Sequence, residues 1–197
     1  MRLFVAIELD EPGRQAIAAE LLMLKSALDG EERSSMRWVK PEHMHLTLVF
    51  LGEVAEDRVR VLVGALSHPI PLAPFIAGFG GLGIFPPRQA PRVLWLGLTR
   101  GVAEVREVRR EVAQNLSRVG VVPEEHFEPH LTLARWRPHG AGRRPRVQLG
   151  APGELLRLSV EHVALIESRL SSAGPSYSVL AKAILEVQRR PPLQSEA

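Results

Sequence analysis

His45-Leu46-Thr47-Leu48 recurs further along the chain as His130-Leu131-Thr132-Leu133. With seven histidines and only three threonines in 197 residues, His-x-Thr is expected by chance roughly 0.1 times, so a second copy flanked by the same leucines is a signal rather than an accident. On an extended strand, residues i and i+2 project to one face. Each copy then offers an imidazole and a hydroxyl on one side, and two leucines to a core on the other. Two such strands side by side would present two imidazoles and two hydroxyls across a cleft. With only two copies, the repeat fits a domain of two similar halves better than a stacked array.

Working outward from the motifs, residues 2–8 read as a buried strand and Asp10 with Pro12 as a helix start. Ile17, Leu21, Leu24 and Leu28 form a helical stripe, and Gly30 supplies a stop. Residues 36–39 read as a short strand. The first motif strand runs from His45 to Leu51 and ends at Gly52. A second amphipathic helix spans 55–67, with Val59, Leu62, Val63 and Leu66 on one face. The glycines and prolines of 69–91 predict strand pieces joined by turns. Strands at 93–98 and 129–135 flank a helix at 102–119. Residues 136–153 read as a loop rich in Pro, Gly and Arg, and strands at roughly 155–168 and 177–187 close the pattern. Strands and helices do not alternate strictly. The expected class is therefore α+β: two pseudo-symmetric lobes, each a mainly antiparallel sheet with helices outside, and a central cleft. Residues 1–187 form one domain in this reading, with 188–197 as a disordered tail.

Composition narrows the chemistry. An apolar fraction of 45% and a charged fraction of 24% are ordinary globular values. The absence of cysteine excludes disulfides, thiolate catalysis and iron–sulfur clusters. The net charge of +3 permits a polyanionic partner without requiring one. The apolar run Leu3–Ile7 is short and is followed by Glu8, Asp10 and Glu11, unlike a signal peptide, and no stretch is long enough to span a membrane. A soluble, cytoplasmic monomer without membrane contact is the expectation.

Two imidazoles and two hydroxyls suit phosphodiester chemistry. At neutral pH one imidazole can act as a base and the other as an acid. Hydroxyls can hold phosphoryl oxygens as charge develops. No cofactor or metal is implied. His43 and His45 share i, i+2 spacing as some metal ligands do, but a third ligand lacks diagnostic spacing. His43 is expected at the strand entrance, and His126 in a loop. Trp38 and Trp95 read as core, Tyr177 as a residue lining the cleft, and the glycines 78, 80, 81 and 83 as turns.

The repeated motif resembles that of the two-histidine phosphoesterase superfamily. Arg37-Trp38-Val39, HLTLVFLG at 45–52, GIFPP at 83–87, PRVLW at 91–95 and FEPHLTLAR at 127–135 are similar to the bacterial and archaeal RNA 2′,3′-cyclic phosphodiesterases, also called 2′-5′ RNA ligases. The resemblance implies metal-independent hydrolysis of a terminal 2′,3′-cyclic phosphate to a 2′-phosphate. It implies His45 as the acid at the departing O3′ and His130 as the base, roles that the symmetry of the motif allows to exchange. Thr47, Thr132 and Arg135 would bind the phosphate, and Phe85 would stack on the terminal base. The implied partner is RNA with a cyclic-phosphate end, or small cyclic nucleotides. His43 departs from the family pattern while leaving the motif intact. Arg135, Arg137, Arg143, Arg144 and Arg146 are read either as a solvated loop or as a grip on the RNA backbone, with Arg92 near the cleft. The alternatives are a 2′-5′ ligase running the reverse reaction and a non-catalytic RNA-end binder.

Overall fold

The computed structural model describes residues 1–137, 153–171 and 174–187. Strand β1 (Arg2–Glu8) leads into helix α1 (Glu11–Ala27), a short helix α2 (Gly30–Ser34) and strand β2 (Met36–Trp38). A 3-10 turn (Pro41–His43) precedes β3 (His45–Glu53), which is followed by α3 (Glu56–Ala65), β4 (Phe75–Phe85) and β5 (Val93–Arg100). Helix α4 (Val102–Ser117) and strands β6 (His130–Trp136), β7 (Leu156–Val160), β8 (His162–Ser171) and β9 (Gly174–Ile184) complete the described elements.

These strands form one nine-stranded sheet in the order β7-β4-β5-β6-β3-β1-β8-β9, with β2 paired to β6. Every ladder in it is antiparallel, so the class is α+β. β7 and β8 are separated only by Glu161, yet they stand six positions apart in that order. A flat sheet would hold them about 29 Å apart at the usual strand spacing of about 4.8 Å, which one intervening residue cannot reach. The sheet is therefore strongly curled. Hydrogen bonds from Leu185 N–H to the Glu161 carbonyl (2.7 Å) and from Ile70 N–H to the Ile184 carbonyl (2.8 Å) tie the chain together near this crossing.

Three helices cover one sheet face. Ile17, Leu21 and Leu24 of α1, Leu62 of α3, and Val105, Val108, Val112 and Leu116 of α4 pack in one cluster with Leu46, Leu48, Leu131 and Leu133. On β1, Leu3, Val5 and Ile7 join this cluster, while Phe4 and Ala6 pack with Ala164 and Ile166 in a separate one. The period-2 alternation of a strand thus sends one set to the core and the other to the opposite face.

Three expectations change. Gly30 does not stop the first helix: α1 ends at Ala27, and Gly30 opens α2 behind an Asp29–Glu32 capping box, whose reciprocal bonds satisfy the new helix start. Residues 75–85 form one continuous strand rather than pieces joined by turns. Its glycines serve close approach: a Cβ on Gly83 would sit 2.1 Å from the Trp95 ring, and one on Gly80 would sit 1.8 Å from the Gly153 carbonyl oxygen. The single strand expected at 155–168 is two, β7 and β8, joined to opposite parts of the sheet. The last strands, β8 and β9, extend the sheet from β1. The tail from 188 and most of the expected loop lie outside the described residues.

Leu131 is fully buried, whereas Leu22 is 71% exposed. Leu131→Ala is expected to lower unfolding free energy by about 2–5 kcal/mol. Leu22→Ala should change it by less than about 0.5 kcal/mol. Urea denaturation measures both, and equal losses would contradict the placement of the core face.

Candidate active site

The two motifs meet at one antiparallel pair, Leu46↔Leu131. Directly opposed residues point to the same face. Both leucines are fully buried among the helices, so the flanking His45, Thr47, His130 and Thr132 must point to the other face. All four are half-buried there. The register sets His45 level with Thr132, and Thr47 level with His130. The sequence repeat becomes an approximate two-fold arrangement around a single cross-strand contact.

Each imidazole is held in the same way. His45 Nδ1 lies 2.9 Å from the His43 carbonyl oxygen, and His130 Nδ1 lies 2.7 Å from the Glu128 carbonyl oxygen. A carbonyl only accepts, so Nδ1 donates in both and Nε2 is the nitrogen left for chemistry. The 3-10 turn at Pro41–His43 presents the first carbonyl, and the buried Pro129 follows the second.

Aromatic rings wall both histidines. Phe4 stacks on His45 at 4.6 Å, with the edge of Tyr177 at 5.3 Å. Phe85 meets His130 edge-on at 5.0 Å, and Trp95 lies 6.1 Å away. This apolar enclosure has an electrostatic effect. Burial pushes His45 down from 6.5 to about 4, against the opposing pull of the His43 carbonyl and with help from the Arg135 charge. His130 is lowered by burial as well, again opposed by a backbone carbonyl and reinforced by Arg135. Both imidazoles are therefore neutral at neutral pH.

Arg135 reaches this face through a strand irregularity. Counted along a regular strand, a residue five after His130 falls on the core side. The ladder with β5 runs His130↔Gly97 and Thr132↔Trp95, then shifts to Ala134↔Leu94 and Arg135↔Val93. Leu133 is the extra residue of a β-bulge, and such bulges re-aim the side chains beyond them. Ala134 and Leu94 are buried, so Arg135 turns to the histidine face, where its charge acts on His45, His130 and Tyr177.

The geometry thus brings together all six residues singled out from the sequence, with Phe85 beside His130 rather than apart from it. Thr47, Phe85 and His130 line a cavity of about 260 Å³. Trp95 is not a core residue, because its pairing with Thr132 places it on the site face. Trp38 is half-buried, and its Nε1 donates to the Arg33 carbonyl at 3.3 Å. Phe4 is a site residue that the motifs do not reveal; the available signal is its parity on β1, out of phase with Leu3, Val5 and Ile7. Tyr177 does face the site, and His43 meets its ring at 5.4 Å. Arg137 turns away to donate to the Ser34 carbonyl at 3.2 Å, and Arg92 is exposed. Arg143, Arg144 and Arg146 lie outside the described residues. Among the described residues no cluster of three or more His, Asp or Glu side chains is placed to hold a metal ion, and no helix is long and apolar enough to cross a membrane.

Paired imidazoles with adjacent hydroxyls and an arginine on a curled antiparallel sheet form an arrangement able to bind a phosphoester and move protons at it. The comparisons with known proteins agree. A family model described as LigT-like phosphoesterase matches residues 12–95. An Aquifex aeolicus protein named RNA 2′,3′-cyclic phosphodiesterase is 33% identical over 156 residues, covering 73% of this chain and 79% of its own length. The crystal structure of TT0787 of Thermus thermophilus superposes with a TM-score of 0.75 at 30% identity, covering 96% of this chain and 100% of that one. Escherichia coli LigT complexed with 3′-AMP superposes with a TM-score of 0.72 at 25% identity, covering 93% and 97% respectively. The chain belongs to the LigT-like phosphoesterases of the two-histidine superfamily, among the relatives named RNA 2′,3′-cyclic phosphodiesterase.

The lowered histidines couple the site to stability. Between pH 6.5 and about 4 the unfolded chain protonates His45 while the folded chain resists. Stability from this group is present above pH 6.5 and is lost as pH falls through that window, on the order of 3 kcal/mol in all. His45→Gln should weaken the fall in unfolding free energy between pH 7 and pH 4.5, measured in urea. An unchanged slope would contradict the burial of this ring.

Proposed function

We propose that the chain hydrolyses the 2′,3′-cyclic phosphate at an RNA end to a 2′-phosphate and a free 3′-hydroxyl, using His45 and His130 as an acid–base pair without a metal ion. The observation that carries this reading is the matched tethering of the two imidazoles, each with Nδ1 on a carbonyl two residues earlier. One Nε2 takes a proton from water as its oxygen attacks phosphorus. The P–O3′ bond breaks, and the other imidazole, protonated, delivers its proton to O3′. Each role is worth roughly 10²–10⁴ in rate. Arg135 supplies a planar fork for two phosphoryl oxygens, and the Thr47 and Thr132 hydroxyls donate to the charge developing on the pentavalent phosphorus. Relatives named RNA 2′,3′-cyclic phosphodiesterase and a nucleotide-bound neighbour, LigT with 3′-AMP, both support RNA ends as the substrate class.

The reaction needs one imidazolium, yet burial and Arg135 favour two neutral rings in the free protein. The anionic diester reverses that balance by its own charge. The profile of kcat/KM, which reports the free protein, should therefore be a bell displaced below pH 6.5. The kcat profile should lie at higher pH. Coincident bells centred at 6.5 would contradict this account.

With a 2′,3′-cyclic-phosphate oligonucleotide in EDTA, the parent protein should produce a 2′-phosphate end. His45→Ala and His130→Ala should each lower kcat/KM by at least about 10². Near-normal turnover by either variant would remove that histidine from the mechanism, and loss of parent activity in EDTA would remove metal independence.

A further inference from the structure

The two-fold arrangement of the motifs ends at the strands that flank them. On β5, the residue opposite His130 is Gly97, which offers no side chain. On β1, the residue opposite His45 is Glu8. Directly opposed residues share a face and hold their Cβ atoms about 4.5–5.5 Å apart. Glu8 is also in phase along β1 with Phe4, which stacks on the His45 ring. A carboxylate therefore stands across the ladder from one imidazole and has no equivalent across the ladder from the other. Glu128, the carboxylate acting on His130, is exposed on the segment leading into β6.

Glu8 is held from its other side. Lys182 Nζ lies 3.2 Å from Glu8 Oε2 and 3.0 Å from His162 Nε2. An ammonium only donates, so Lys182 bridges the two and His162 Nε2 accepts. The 3.4 Å approach of His162 Nε2 to Glu8 Oε2 follows from that shared partner. Strand register builds the cluster. Ala6 pairs with Ala164, so Glu8 falls level with His162, and Lys182 stands opposite Ala164 on β9. Glu8 and His162 are half-buried. The outer side of the cluster borders a cleft of about 230 Å³ that Asp10, Arg14 and Glu161 also line. Asp10 is engaged in capping α1, and Arg14 pairs with Glu11 at 3.4 Å. Two strands remote in sequence thus converge on a carboxylate that the acid–base step itself does not use.

We propose that Glu8, anchored by Lys182 and His162, is a positioning residue that stabilises the imidazolium form of His45 during turnover. The proposal rests on the reading of His45 as one of the acid–base pair. In either role His45 carries a proton at one stage: as the acid before the P–O3′ bond breaks, or as the base once it has taken the proton of water. Several groups face this ring. Burial, the Arg135 charge from β6 and the His43 side chain from the 3-10 turn oppose the cation, while the His43 carbonyl and the Glu8 carboxylate favour it. Tyr177 of β9 presents a ring edge. Lys182 fixes the carboxylate in place and offsets part of its charge, so removing either member of that pair acts on His45 with opposite sign.

The test follows the histidine Cε1 protons of the free protein by NMR from pH 8 to pH 4.5, with His45 assigned from its loss in His45→Gln. It also measures kcat and KM on a 2′,3′-cyclic-phosphate oligonucleotide. Glu8→Gln should leave His45 protonated about 3- to 10-fold less often at pH 4.5, with His130 unmoved. The same variant should lose about 3- to 10-fold in kcat with little change in KM. Glu8→Asp, which retains the charge, should recover most of that loss. Lys182→Met should move the His45 titration the opposite way. An unmoved His45 in Glu8→Gln, equal displacement of both histidines, or displacement in the same direction by Lys182→Met would overturn the proposal. A parent protein inactive on the oligonucleotide, with the His45 displacements as expected, would overturn the cyclic phosphodiesterase reading and leave the coupling of Glu8 to His45 standing.

Discussion

The site depends on one cross-strand contact. Leu46 and Leu131 face each other across β3 and β6 and are both excluded from water. A strand's side chains alternate, so burying these two leucines leaves the four polar motif residues no choice of face. A slip of one residue in either strand would drive a histidine and a threonine into the leucine- and valine-lined core contributed by α1, α3 and α4, where neither would find a partner. The hydrophobic effect, acting on apolar residues that take no part in the chemistry, sets the register of the catalytic candidates.

The enclosure of the imidazoles follows from the same curled sheet. Neighbouring strands supply rings at the level of each histidine: Phe4 and Tyr177 around His45, Phe85 and Trp95 around His130. Gly83 lets the indole of Trp95 lie against β4. Aromatic packing lowers the local polarity and favours the neutral ring, while the carbonyl on each Nδ1 keeps the imidazolium accessible. The two tendencies oppose each other at both histidines, with burial the stronger. Arg135 belongs to that balance: its charge disfavours a cationic imidazole at both positions.

Composition alone misplaces some residues. Trp95 reads as core because large aromatics in strands usually are, yet its partner in the ladder is Thr132. The glycines of β4 read as turns because glycine usually marks them, yet they make room for an indole ring and for a neighbouring carbonyl. Arg137 belongs by sequence to the cluster around Arg135 but binds the Ser34 carbonyl instead. In each case the deciding fact is a neighbour distant in sequence, which local propensity cannot report.

The sequence by itself determined the α+β class and singled out two equivalent His-x-Thr pairs, to which the family resemblance added Arg135 and Phe85 as candidates. Those features depend on residue identity and short-range periodicity, and a repeated His-x-Thr on a strand carries both. Only the tertiary structure decided which strands lie side by side, how the last strands complete the sheet beyond β1, and how far burial shifts the histidines. It also decided that Arg135, five positions after His130, faces the site. That last result runs against simple alternation, because a bulge is settled by the register between two strands and is invisible in either one alone.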